Sequence, residues 1–205
     1  KWVDATKGFL TELKAIDRAA LSVDDQVNYD IFRRQLENRV TDFELQDYQM
    51  PFNADSGFHS GFARLADFVP LATVKDYENY ISRLRAWPVH ARQQIELMRA
   101  GIQRGFTVPR ATLEGYESTF SAHVVDDPEK SVFWTPFAKF PSTVPESERE
   151  RLRKEGRAAV VEGGIAGYRE LLAFYQKEYY PNARKTLAAS DLPNGRAYYE
   201  ALAAA

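Results

Sequence analysis

Along most of this chain the large apolar residues return every three or four positions, and nowhere do they alternate with polar ones long enough to form a strand. That return places them along one side of an α-helix, so the chain must bury its apolar stripes by packing helix on helix. The expected fold class is all-α, an irregular bundle of about seven helices. Phe9, Leu10, Leu13 and Ile16 mark a helix from Asp4 to Ile16. Ser22 with Asp25 resembles a capping box, and Val27, Ile31, Leu36, Val40 and Phe43 carry a second helix to about Leu45.

Thr73 with Asp76 opens a third segment bearing Tyr77, Tyr80, Ile81, Leu84 and Trp87. Proline lacks the amide proton that the helix ladder needs, so Pro88 is expected to break or kink it there. Ile95, Leu97, Met98 and Ile102 then carry a further helix to about Gly105. Pro109 suits the first turn of another, with Leu113, Tyr116 and Phe120 as its apolar side. Leu152, Val160, Ile165, Tyr168, Leu172, Tyr175 and Tyr179 predict a long helix ending near Pro181, weakened or bent at Gly163-Gly164.

Two stretches interrupt the pattern. Residues 50–61 combine turn formers with Met50, Phe52 and Phe58, which reads as a loop pinned by its side chains. Residues 126–145 hold Pro128, Pro136, Pro141 and Pro145 among Phe133, Trp134, Phe137 and Phe140, which predicts an irregular, aromatic-anchored connection. With no fixed-period repeat, the whole span 1–205 is expected to be one helical domain. Lys1 in place of Met, and a helix still running at Tyr198 to Ala205, give the expectation of a fragment of a larger protein.

A core is within reach: 44% of the residues are hydrophobic, and 13 Phe and 11 Tyr supply bulk. The 27 basic and 29 acidic residues are interspersed, even in the dense run from Glu146 to Glu155, which reads as a solvated helix face. Nucleic acid is therefore not an expected partner, since a polyanion needs clustered positive charge. No run approaches the roughly 18 apolar residues of a membrane-spanning helix. The chain has no cysteine, which removes disulfides, thiolate metal sites and cysteine nucleophiles.

His59, His90 and His123 are scattered, without the four-residue spacing that lets two imidazoles on one helix face share a metal. His59, between glycines of the 50–61 loop, is a ligand-binding candidate or else a surface or loop-packing histidine. There is no Gly-x-Ser-x-Gly elbow, no Gly-x-Gly-x-x-Gly turn and no phosphate loop. Asp24-Asp25 and Asp126-Asp127 fit helix caps and turns better than cation sites. The expectation is a chain with no catalytic residue set and no metal site of its own.

The most distinctive local sequence is Glu178-Tyr179-Tyr180-Pro181-Asn182-Ala183-Arg184, followed by Asp191-Leu192-Pro193-Asn194-Gly195-Arg196-Ala197-Tyr198-Tyr199. Pro-Asn-Gly fixes a turn, because proline presets one backbone angle and Asn-Gly tolerates the left-handed region. It places Tyr198 and Tyr199 at the start of a new helix. With Arg184 nearby they could bind a carboxylate or steady an oxyanion, or they could simply seal a helix junction.

Together with Leu21-Ser22-Val23-Asp24-Asp25-Gln26-Val27-Asn28-Tyr29-Asp30, Tyr80-Ile81-Ser82-Arg83-Leu84, Gly101-Ile102-Gln103-Arg104-Gly105 and Val108-Pro109-Arg110, these residues resemble the bacterial domain-of-unknown-function family numbered 885. The resemblance runs from about Ile16 to Leu202. It implies a relative of zincin-type metal-dependent peptidases, often exported to the periplasm or beyond, whose later portion carries a His-Glu-x-x-Pro-Gly-His motif. That motif is absent here. The resemblance thus implies the non-catalytic N-terminal helical part, one wall of a substrate cleft, with zinc expected in a C-terminal catalytic part of the same parent. Asn194, Gly195, Tyr198 and Tyr199 match the family's Pro-Asn-Gly and Tyr-Tyr element, and Arg110 and Arg184 its recurrent arginines. The alternative is a stand-alone helical module that binds a peptide or protein. Expected partners are the catalytic part, a peptide substrate and, through an exposed apolar face, a second copy of the chain.

Overall fold

The computed structural model describes residues 2–204; Lys1 and Ala205, the ends of the expected 1–205 span, lie outside the described residues. Every regular element among them is helical, with only two isolated bridges, Phe52 to Gly57 and Pro109 to Arg184. The main helices are α1 (Trp2–Lys14), α2 (Val23–Leu45), α3 (Val74–Gln103), α4 (Glu146–Ala159), α5 (Ala166–Phe174) and α6 (Gly195–Ala204). Contacts divide the chain into two compact units, the first made of residues 1–49 and 187–205, the second of residues 50–186.

In the first unit α1 lies back along the second half of α2, with Lys7 paired to Glu44 at 2.9 Å and Lys14 to Glu37 at 3.3 Å. Ser22 caps α2 by accepting from the Asp25 amide, as its sequence predicts. At the other end Gln46 turns left-handed, with φ 60°, and stops the helix.

The second unit is built around α3 and the long helical run that contains α4 and α5. Thr73 and Asp76 form a full capping box at the start of α3. The helix then continues through Pro88 to Gln103, so of the break or kink expected at that proline the break does not occur. Proline in a helix leaves the carbonyl four residues earlier without its amide donor. Here that carbonyl belongs to Leu84, and Gly163 of the facing run sits so close that an added Cβ would lie 2.0 Å from the Leu84 oxygen. Bare Gly163 thus lets two backbones touch where the ladder is open.

The facing run passes from α4 to α5 through a π-helical turn, Val160–Ile165, which contains the Gly163-Gly164 pair. A second π turn, Tyr175–Tyr179, precedes the helix end at Asn182. Each π turn inserts a residue and rotates the helix beyond it, bringing Ile165, Tyr175 and Tyr179 into the core. The single helix expected after Pro109 is instead two short turns, Arg110–Leu113 and Ser118–Ser121. They are separated at Gly115, whose φ of 77° no helix accepts. Leu113, Tyr116 and Phe120 are nonetheless all buried, so the apolar spacing marked burial rather than helix continuity.

Tyrosine hydroxyls tie the irregular segments to this scaffold. Tyr77 donates to the Pro136 carbonyl at 3.1 Å and Tyr80 to that of Phe133 at 3.2 Å, which fixes the proline-rich 126–145 stretch. Tyr175 donates to the Leu113 carbonyl, Tyr116 to that of Ser56, and the Tyr179 oxygen accepts from the Val108 amide. A buried loop needs partners for its backbone groups, and tyrosine supplies them without giving up its apolar ring. The loop expected over 50–61 ends at Gly57, because Phe58–Ala63 is helical. Asn53 closes its turn by accepting from the Asp55 and Ser56 amides.

Candidate functional site

In the first unit the left-handed Gln46 folds the residues after α2 back over its last turns. Tyr48 stacks on Phe43 with ring centres 5.5 Å apart, while the Arg39 guanidinium lies over the Trp2 ring at 5.6 Å. These side chains wall an open groove of about 600 Å³, completed by Val3, Asp4, Lys7, Asp42 and Asp47. Burial and the neighbouring Asp47 carboxylate raise the Asp42 carboxyl above its ordinary range.

The helix that follows the Pro-Asn-Gly turn reaches this groove through Tyr198, which bonds the groove residue Asp47. Asn194 adopts φ 56°, and the Gly195 amide donates to the Leu192 carbonyl at 2.8 Å. Gly195 lies against the Ala189 carbonyl, 2.1 Å from where a Cβ would stand, so the turn needs glycine there. Helix α6 then starts, and Tyr198 and Tyr199 fall at the end of its first turn. Their environments differ sharply. Tyr198 is 8% exposed and donates to Asp47 Oδ1 at 2.6 Å, whereas Tyr199 is 62% exposed. Burial and the Asp47 bond push the Tyr198 phenol above its ordinary range, so it stays a donor.

The two arginines meet in the second unit. The Arg110 amide donates to the Arg184 carbonyl at 2.8 Å, and the Arg184 amide to Thr107 Oγ1 at 2.9 Å. Arg184 Nε reaches the Thr107 carbonyl, and Arg110 Nη2 reaches that of Pro181 while its guanidinium lies 5.4 Å from the Tyr180 ring centre. Both side chains therefore clamp the helix end at Asn182 to the 107–110 segment, where they meet backbone carbonyls.

His59 is 1% exposed, enclosed by Phe52, Phe58, Tyr116 and Phe120. Thr119 donates its hydroxyl to the Tyr116 carbonyl at 2.7 Å, so His59 Nε2, 3.1 Å from the same oxygen, must be the donor. Nδ1 is then a buried acceptor without a hydrogen-bond partner. Burial, helped by His123, lowers the ring's pKa to about 4. The His59 carbonyl accepts from Tyr168.

The structure thus gathers the site candidates into three places: Asn194, Gly195, Tyr198 and Tyr199 in the first unit, Arg110 with Arg184 in the second, and His59 inside the second unit's core. Sequence reasoning does not single out Asp47, Trp2, Arg39, Phe43 or Tyr48. Nothing local announces Asp47, whose partner Tyr198 is 151 residues away. Among the described residues no three His, Asp or Glu side chains come together as a metal would need. The donor set does not fit a zinc centre.

A family model described as "Bacterial protein of unknown function (DUF885)" matches residues 1–205. The chain belongs to that family. No curated protein is similar enough to this DUF885 chain to count as a match.

Proposed function

We infer that this DUF885 chain is the non-catalytic helical part of a metal-dependent peptidase or hydrolase, and that its first unit contributes one wall of the substrate cleft. The observation that carries this is the aromatic groove between α1 and the end of α2, open, walled by Trp2, Phe43 and Tyr48, and edged by carboxylates. Such a surface suits an extended peptide, with apolar side chains on the rings and backbone or basic groups at the rim. The chemistry that activates water would come from a zinc centre elsewhere in the parent protein, since the residues here do not fit one.

In this reading the Pro-Asn-Gly turn is an edge of the groove. Asn194 and Gly195 set the turn, Tyr198 holds Asp47 in place, and exposed Tyr199 is the tyrosine free to touch a ligand. Arg110 and Arg184 hold the second unit together. A peptide library titrated against the chain, read by tryptophan fluorescence and calorimetry, tests the binding half. Trp2→Ala is expected to weaken the best peptide about tenfold, and Tyr199→Phe severalfold. Failure of every peptide to bind at millimolar concentration would refute the cleft assignment. Binding without chelator-sensitive turnover by the parent protein would favour a stand-alone peptide-binding module.

A further inference from the structure

The first half of α2 runs past the end of α1, and on that half Val23, Val27 and Ile31 stand 78%, 53% and 53% exposed. Their spacing of four puts them in one row along the helix, an apolar stripe such as soluble helices normally cover. The aromatic groove lies at the opposite end of α2, so this stripe is a separate surface. Asp24 borders it near one end, and Arg34 continues it at the other.

Turning a second α2 antiparallel about Tyr29 places Val27 opposite Ile31 of the copy and Asp24 opposite its Arg34, while Val23 falls opposite Gln35. Both contacts occur twice, as a two-fold axis requires. Within the chain Asp30 is taken by Arg18 at 2.6 Å, with Arg33 at 3.8 Å, so those charges are engaged locally. Among the described residues Asp24 and Arg34 make no such bond, and both are exposed. Val27 and Ile31 are therefore complementary to their own reverse, and the charges that flank them match as well.

We propose that the exposed stripe of α2 is a self-association surface, on which a second copy of this chain docks antiparallel through Val27 and Ile31, with Asp24 of each copy against Arg34 of the other. A single helix pair buries less than the roughly 1,200–2,000 Å² of a stable specific interface, so the dimer is reversible.

Sedimentation of the full chain from about 1 to 500 µM should show a monomer–dimer equilibrium in that range. Val27→Lys, an exposed change that leaves circular dichroism unaltered, should keep the chain monomeric throughout. Asp24→Arg and Arg34→Asp alone should each weaken association about tenfold by setting like charges opposite twice, and the double variant should recover it. A chain monomeric at 500 µM overturns the proposal and leaves the stripe to a different polypeptide. A dimer indifferent to Val27→Lys, or a double variant no better than the singles, overturns it as well.

Discussion

The two units use the same kinds of residue to opposite ends. In the second, aromatic rings from α3, the π turns and the proline-rich stretch interlock into one buried cluster, and tyrosine hydroxyls satisfy the backbone of the loops around it. In the first, much of the apolar bulk of α1 and α2 remains at the surface, as Trp2, Phe9, Val23, Val27 and Phe43 illustrate. Burial brings stability but leaves a side chain nothing to offer a ligand. The closed unit therefore reads as scaffold and the open one as working surface. If so, the closed unit should punish small changes in volume and the open one should tolerate them.

The hardest test of the scaffold is Gly163→Ala. A methyl group there would collide with the Leu84 backbone, which cannot swing aside as a side chain can. The facing helices would have to part along their length. A loss of about 3 kcal/mol or more is expected, the upper range of overpacking. In a chain of this size that lowers the melting temperature by about 6–12 °C, measurable by calorimetry. A change under a degree would mean the two helices are not in backbone contact.

A pH series separates the units next. His59 has a folded pKa of about 4, while an unfolded histidine titrates near 6.5. Between these values the unfolded chain binds a proton that the folded one excludes, so stability rises with pH across the window. The contribution is complete above about pH 6.5 and lost progressively as pH falls toward 4, reaching about 3 kcal/mol. His123, whose pKa is also lowered by burial, acts in the same direction. Urea denaturation from pH 4 to 7 should show this slope, and His59→Leu should flatten most of it. An unchanged slope in that variant would rule out His59 as its source.

The amino-acid sequence is legible along the same division. Local signals can be read directly: Ser22 and Thr73 announce the starts of α2 and α3, because a cap is made by residues three positions apart. The Pro-Asn-Gly turn and the start of α6 come from neighbouring residues too. That Pro88 does not break α3 is not legible locally, since the Gly163 that meets the carbonyl it leaves open lies far along the chain. The glycines around His59 suggest surface, yet the rings that enclose it include Tyr116 and Phe120 from a distant segment. Asp47 gains its place only through Tyr198. Periodicity reports which side of an element is apolar, not which distant element arrives to cover it.

Tyr198 and Tyr199 offer a finer comparison inside the open unit. Tyr198→Phe removes the donor to Asp47 and should cost about 1.5–3 kcal/mol, the range for a hydrogen bond to a charged partner. Tyr199→Phe should change stability by less than about 0.5 kcal/mol, as an exposed substitution does. Thermal melts of both variants read the difference. Equal losses would mean the two tyrosines share one structural role.

A small effect is also expected at Gly8, and its sign is opposite to that at Gly163. Gly8 lies within α1, and a Cβ built on it meets nothing within 4 Å. Glycine in a helix interior pays extra backbone entropy on folding, and alanine removes that cost wherever there is room for its methyl group. Gly8→Ala should therefore stabilise the first unit by about 0.5–1 kcal/mol. The gain should appear as slower amide exchange along α1, with the second unit's exchange unchanged. Destabilisation would mean that something covers α1 at this point, and the open character of the first unit would have to be given up.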